Sequence, residues 1–252
     1  MKLPSAPPLC TTFKNAVGSN VPKEFALAAR SNPDCISEMA ENYQETQVLQ
    51  LEALARQYVL IIDRSGSMAA RDGRGTRWDS AEAAVTKMID TIFKYDIDHT
   101  VPLYLFDNEV LFIGELTSAS QVKDVFKTYS PRGSTGLGNA LDAALSVYAG
   151  SKRPNYELVP GTTFVVLLDG GADDEQHVFK TLQYYADPVN GFVTNHTQLA
   201  ISFIQIGDDP SASTFLKRLD DDIKPDICDF KKDDMLSVSG GLDRILHDAI
   251  FD

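Results

Sequence analysis

Five oxygen-bearing side chains stand at positions where an apolar run ends or a helical pattern begins, and together they could hold a metal ion. They are Asp63, Ser65, Ser67, Thr135 and Asp169. Carboxylate and hydroxyl oxygens are hard ligands, which suit Mg²⁺, Ca²⁺ or Mn²⁺. Because only two of the five are carboxylates, a bound cation stays electrophilic. It keeps an open position that an incoming carboxylate can fill.

The apolar runs before these residues predict where they lie. Residues 58–62, 101–106, 162–168 and 199–206 are continuous apolar segments, which is typical of strands buried on both faces of a parallel sheet. Ligands of such sheets bind beyond the carboxyl ends of the strands. Asp63, Ser65 and Ser67 alternate along the chain, and Gly66 allows a bend that turns all three towards one point.

The alternation of apolar runs with helical patterns predicts the fold class. The helical patterns cover residues 80–95, 119–129, 138–148, 174–185, 211–219 and 243–251. Two weaker strand candidates are 110–113, which follows a tight turn and is expected at an antiparallel edge, and 227–230. We therefore predict an α/β fold with a doubly wound, mostly parallel central sheet, one antiparallel edge strand and helices on both faces.

The first part of the chain differs from the rest. Within residues 1–57, the first part contains frequent prolines. From Ser37 to Gln57, apolar and acidic residues recur near helical spacing. They predict an extended arm and an amphipathic helix. The α/β domain is predicted over residues 58–252.

The motifs resemble those of a known family. Asp63-x-Ser65-x-Ser67, then Thr135, then Asp169-Gly170 resemble the metal-ion-dependent adhesion site (MIDAS) of the von Willebrand factor A (VWA) domain. The resemblance covers residues 58 to about 230 and implies a Rossmann-like VWA fold. It also implies that the serines and the threonine contact the cation, and that the aspartates bind it directly or through water.

A narrower resemblance is to intracellular A domains associated with tellurite resistance and stress. It rests on residues 203–209 and on Phe215-Leu216 followed by Leu219-Asp220-Asp221-Asp222. Those relatives usually have threonine where this chain has Leu168, so a hydroxyl beside the site is missing here. We expect the missing hydroxyl to affect how tightly the site binds a metal and which metal it prefers.

Several of these residues also have simpler interpretations. Ser65, Ser67 and Thr135 could each cap a following helix. Asp107 is expected in a loop turn, with a supporting role at the metal as the alternative, and Asp173 and Asp174 are expected to cap the next helix. Four arginines near the site form either solvated loops or a basic patch for a partner: Arg64, Arg71, Arg74 and Arg77.

Charge and composition restrict the partners. The chain of 252 residues carries 23 Lys and Arg against 36 Asp and Glu, a net charge of -13, which argues against nucleic acid or an anionic membrane as the partner. No apolar run is long enough to span a membrane, and no secretory signal is evident, so we expect a cytoplasmic protein. The three cysteines, widely spaced, form no disulfide framework.

The sequence thus predicts a divalent-cation-dependent protein-binding module that captures a partner's Asp or Glu. It is not expected to be an enzyme. The alternative is Mg²⁺-dependent phosphoryl transfer with Asp63 as the nucleophile, but that chemistry needs a second acid two residues on, where Ser65 stands. A purely structural scaffold, whose partner binding would survive a chelator, is a third class. The oligomeric state is open.

Overall fold

The protein is represented by a computed structural model that describes residues 56–73, 75–152, 161–193 and 197–251. The predicted arm and most of the predicted N-terminal helix lie outside these residues. In chain order the elements are β1 (Gln57–Asp63), β2 (Arg71–Asp72), β3 (Gly75–Thr76), α1 (Arg77–Tyr95), β4 (Val101–Phe106), β5 (Val110–Leu116), α2 (Ala119–Thr128), α3 (Leu137–Lys152), β6 (Thr162–Leu168), α4 (Glu175–Ala186), β7 (Leu199–Gln205), α5 (Pro210–Asp222), β8 (Cys228–Lys232) and α6 (Gly241–Phe251).

Six strands form one sheet in the order β5-β4-β1-β6-β7-β8. β1 pairs in parallel with β4 and β6, and the parallel pairing continues through β7 to β8. β5 pairs antiparallel with β4 at the edge of the sheet. The predicted fold class is therefore confirmed, including the antiparallel edge strand.

The helices cover both faces of this sheet because neighbouring residues of each buried strand point to opposite sides. In β1, Ile61 belongs to one apolar core with residues of α3, α4 and α5. Leu60 and Ile62 belong to a second core with residues of α1, α2 and α6. A strand with an apolar core on each side has no polar face, and this explains why β1, β6 and β7 are continuous apolar runs.

Two local predictions were wrong. Gln57, predicted as the end of a helix, is the first residue of β1, where its N–H donates to the Gly161 carbonyl. The helix predicted to start at residue 80 begins at Arg77, because Thr76 and Asp79 form a capping box there. No hairpin was predicted between Arg71 and Thr76, where β2 and β3 pair.

The described ranges contain no helix that is both long and apolar enough to cross a bilayer.

The chain changes direction across the sheet at β1. From β1 it moves outward to β4 and β5 on one side, and it later returns to β6 on the other side of β1. The carboxyl ends of β4, β1 and β6 therefore border the point where the winding reverses, which is where open α/β sheets bind their ligands.

Candidate functional site

Strand register brings the predicted residues to one edge of the sheet. Asp63 is paired with Phe106 of β4, so Asp107 lies one residue beyond the level of Asp63. On the other side of β1, Ile62 is paired with Leu167, which places Asp63 beside the end of β6 and Asp169 just beyond it. The two carboxylates of the candidate site thus come from neighbouring parallel strands.

Asp63 is fully buried at the end of β1. Its Oδ1 accepts a hydrogen bond of 2.6 Å from the Ser65 N–H. Its Oδ2 is buried and has no hydrogen-bond partner among the described residues. Burial raises the pKa of Asp63 to about 7, against the hydrogen bonds from Ser65, and the nearby charge of Asp169 adds to the rise. A buried carboxylate with an unpaired oxygen is in need of a cation or a proton.

Hydroxyl groups connect the two sides of the site. The hydroxyls of Ser65 and Ser67 are 2.9 Å apart, and the Ser67 hydroxyl donates to Asp169 Oδ1 at 2.8 Å. Asp169 is fully buried, and its Oδ2 accepts from Arg77 Nη1 at 2.7 Å. Asp63, Ser65, Ser67 and Asp169 therefore form one contiguous polar group.

Backbone hydrogen bonds hold the loop that carries Thr135 against the same edge. The Gly66 N–H donates to the Gly133 carbonyl at 3.0 Å, which ties this loop to the serine-bearing one. The Gly136 N–H donates to the Asp107 carbonyl at 3.0 Å, which ties it to the end of β4. Thr135 itself is buried. The structure thus places it between the ends of β1 and β4.

The loop after β6 contacts Thr135 through its acidic residues. Asp173 Oδ2 accepts from the Thr135 N–H at 2.7 Å, and the Asp173 N–H donates to the Thr135 carbonyl. Asp174 Oδ1 accepts from the Gly138 N–H, in the first turn of α3. Asp174 occupies the N-cap position of α4, as predicted, but its side chain makes no capping hydrogen bond there. The prediction that Asp173 caps this helix was wrong, because its side chain binds the loop that carries Thr135.

An ion-pair cluster around the buried Asp107 lies beside the site. Arg64 Nη2 is 2.6 Å from Asp107 Oδ2, and Arg132 Nε is 3.0 Å from the same oxygen. Burial opposes ionisation of Asp107, but the Glu109 N–H and the two arginines outweigh it, so the pKa of Asp107 is below its usual value. Because the Arg132 N–H also donates to the Arg64 carbonyl, this cluster anchors the loop that leads to Thr135.

The cluster corrects two interpretations of the sequence. Arg64 is buried, so it belongs neither to a solvated loop nor to a partner-facing patch. Arg77 is bound to Asp169, whereas Arg71 is exposed and Arg74 lies outside the described residues. Asp107 does form the expected turn, accepting from the Glu109 N–H, but it also binds both arginines. Arg132 carries no sequence signal that predicts this role.

The side chains at this edge suit a hard divalent cation. The five predicted residues offer only carboxylate and hydroxyl oxygens, and Asp63 Oδ2 is the buried oxygen in need of a positive charge. No group of three or more His, Cys, Asp or Glu capable of holding a metal occurs within the described ranges. A metal site at this edge of the sheet must therefore include hydroxyl ligands, which the Asp-x-Ser-x-Ser motif provides.

Gly133 is a position where the loop tolerates no side chain. Its φ is +70°, and an added Cβ would approach the side chains of Asn108 and Asp107. We expect Gly133→Ala to lower the free energy of unfolding by about 1–3 kcal/mol, because of backbone strain and displacement of the loop. Urea unfolding measures this loss. Gly150→Ala is the control, since Gly150 lies in α3 with open space around its Cβ position; equal losses at both positions would contradict the prediction.

Comparison with known protein families finds a match over part of the chain. The family model described as the von Willebrand factor type A domain matches residues 58–170. This range contains the five candidate ligands and ends directly after Asp169-Gly170. No curated protein is significantly similar to the chain.

Solved structures share the fold at low sequence identity. The VWA domain of SpRpn10 is 15% identical, with a TM-score of 0.52, covering 71% of this chain and 87% of that one. The manganese-loaded TRAP protein of Plasmodium vivax is 15% identical, with a TM-score of 0.52, covering 77% and 74%. The conserved hypothetical protein BatB of Bacteroides thetaiotaomicron is 15% identical, with a TM-score of 0.52, covering 75% and 98%. The sheet and its helices therefore have the VWA fold.

Proposed function

We propose that this chain is a divalent-cation-dependent protein-binding module. Asp63, Ser65, Ser67, Thr135 and Asp169 hold Mg²⁺, with Ca²⁺ or Mn²⁺ as alternatives, and an Asp or Glu of a partner protein completes the coordination. The structure of a TRAP protein described as manganese-loaded supports divalent-metal binding by this fold. The adhesion-site motif supports the choice of ligands.

The observation that carries the proposal is the environment of Asp63. Its Oδ2 is buried without a partner among the described residues, while burial raises its pKa to about 7. A group that serves only the fold would be paired or replaced by an apolar residue, because burying a charge is costly. A bound divalent cation removes this cost by supplying the opposite charge at that oxygen.

The residues have separate tasks in this proposal. Asp63 supplies negative charge from the buried floor of the site. Ser65 and Ser67 supply neutral oxygens, and Ser67 also orients Asp169 through its 2.8 Å hydrogen bond. When bound, the cation supplies an electrophilic centre for a carboxylate. Because three of the five ligands are neutral, the chain leaves positive charge for the partner to neutralise.

Metal binding tests the first half of the proposal. Isothermal calorimetry with Mg²⁺, Mn²⁺ and Ca²⁺ should show binding to the wild type that Asp63→Ala and Ser67→Ala remove. Asp221→Asn is the control, because Asp221 is exposed near the end of α5, away from the carboxyl ends of the strands. If none of the three ions binds or raises the melting temperature of the wild type, the proposal is wrong.

Capture of a carboxylate tests the second half. A displayed peptide library bound to the protein in Mg²⁺ and eluted with EDTA should be enriched in peptides with a required Asp or Glu. Replacing that residue by Asn or Gln should abolish binding. Peptides that survive EDTA, or that need no acidic residue, would instead favour a metal-independent scaffold.

We propose that the site binds and does not catalyse. The hydroxyl of Ser65, two residues beyond Asp63, lies against Ser67 and offers no acid to a leaving group. Metal-dependent hydrolysis of an aryl phosphate that disappears in Asp63→Asn would contradict this and favour the phosphoryl-transfer alternative. The cytoplasmic location and the resemblance to stress-associated A domains stay predictions.

A further inference from the structure

Arg77 contacts the candidate metal site directly. Its Nη1 lies 2.7 Å from Oδ2 of Asp169, and the guanidinium side chain is 21% exposed while the carboxylate side chain is 0% exposed. The other carboxylate oxygen of Asp169 accepts from Ser67. The arginine therefore neutralises one of the two acidic groups that the proposed metal would use.

The position of Arg77 is not explained by helix stability. It is the first residue of α1, where the helix dipole favours negative groups and disfavours cations. Asp79 already supplies the favourable charge and the capping interaction in that first turn. The ion pair with Asp169 is thus the interaction that accounts for a positive charge at this position.

A second carboxylate lies within the electrostatic reach of Arg77. The hydrogen bonds from Ser211 chiefly lower the pKa of Asp209, at the start of α5, and the charge of Arg77 contributes to that shift. Gly207, with φ +78°, lies against Arg77; a Cβ at this position would be 3.3 Å from Arg77 Nε. The arginine is therefore held between the ends of β6 and β7, with an acidic group on each side.

We infer that Arg77 is an internal cation that competes with a divalent metal for Asp169 and thereby sets the metal affinity of the site. This inference rests on the proposed function. Two positive charges close to one carboxylate repel each other, so metal binding at Asp169 is opposed by the guanidinium. The chain thus weakens its own metal site and makes occupancy depend on the free concentration of the divalent ion.

Charge-matched variants test the inference. Arg77→Gln and Arg71→Gln each remove one positive charge from the same short segment, but Arg71 is exposed and only Arg77 is bound to Asp169. Calorimetry with Mg²⁺ and with Mn²⁺ should show binding to Arg77→Gln that is tighter than to the wild type by roughly tenfold or more, as expected for removal of a charge at this distance. The affinity of Arg71→Gln should stay within about twofold of the wild type, because screened surface charges have little effect.

Thermal melts give a second measurement that does not depend on fitting affinities. In EDTA, Arg77→Gln should melt below the wild type, because Asp169 loses its partner. At saturating Mn²⁺ the rise in melting temperature should be larger for Arg77→Gln than for the wild type. Arg77→Lys keeps the charge, so its metal affinity and melting temperatures should stay close to those of the wild type. That result would show that the charge of Arg77 is responsible.

The outcomes separate the inference from the proposed function. If the wild type binds metal and Arg77→Gln binds it equally well or more weakly, Arg77 is a support for Asp169 and the inference is wrong, while the metal site stands. If neither protein binds any divalent ion, the proposed function fails and the inference fails with it.

Discussion

Asp63→Asn should abolish metal binding and at the same time stabilise the protein in the absence of metal. At pH 8 in EDTA we expect its free energy of unfolding to exceed that of the wild type by about 1–3 kcal/mol, given about 1.4 kcal/mol per unit of pKa shift and partial compensation by relaxation. The reason is that Asp63 must ionise in a buried position with one unpaired oxygen. Asparagine keeps the acceptor for the Ser65 N–H without the charge.

The sign of the pH dependence follows from the raised pKa. The pKa of Asp63 is about 7 in the folded protein against 3.8 for an ordinary aspartate, so the folded state binds more protons between these values. The stability that Asp63 contributes is fully present below about pH 4 and is lost as the pH rises through 7. The gain from Asp63→Asn should therefore be large at pH 8 and less than about half as large at pH 5.

Urea unfolding in EDTA at pH 5 and pH 8 measures this difference. Asp221→Asn, which removes an exposed carboxylate, should unfold like the wild type at both values. A wild type that is as stable as Asp63→Asn at pH 8 would mean that the Asp63 charge is compensated by the protein itself. Asp63 Oδ2 would then have no need of a cation.

Asp107→Ala should cause the largest loss of stability among the variants considered, about 3 kcal/mol or more. Its carboxylate is the ion-pair partner of the buried Arg64, and Arg132 shares it. Removing it leaves a buried guanidinium without its counter-charge. Because the cluster anchors the loop that leads to Thr135, we also expect metal affinity to fall in the fraction that folds.

The matched control for Asp107→Ala is Glu109→Ala. Glu109 also pairs with Arg132, but both side chains of that pair are largely exposed, so its loss should cost less than about 1 kcal/mol. The double variant Arg64→Met/Asp107→Leu should recover much of the stability, since apolar residues can replace a buried ion pair. Equal losses from Asp107→Ala and Glu109→Ala in chemical unfolding would show that burial does not determine how much these ion pairs contribute to the free energy of unfolding.

The parts of the fold that follow from residue pattern alone could be predicted from the sequence. Residues 164–168 are all apolar because β6 has a core on each face, and the strand has the predicted bounds of 162–168. The position of Asp169 beside Asp63 followed from the parallel arrangement, in which the carboxyl ends of neighbouring strands share an edge.

The ion pairs around the site could not be predicted in this way. Arg64 stands next to Asp63 in the sequence, yet its partner Asp107 lies 43 residues away, and the choice between solvent and Asp107 depends on the packing of two loops. Asp173 likewise binds a loop 38 residues earlier. Side-chain direction in a loop is set by its tertiary surroundings, and local spacing carries no information about it.

The candidate site is assembled from segments that are distant in the chain, and under the proposed function this would link metal binding to folding. Ser67 and Asp169, which are in hydrogen-bond contact, are 102 residues apart in sequence. The unfolded chain therefore has no preformed ligand set, so under the proposed function a divalent ion would bind the native state selectively and stabilise it by mass action. A ligand concentration of about 100 times the Kd adds about 2.7 kcal/mol. The cellular lifetime of this protein would then follow the supply of its metal, and depletion of the ion would mark the protein for degradation as well as release its partner.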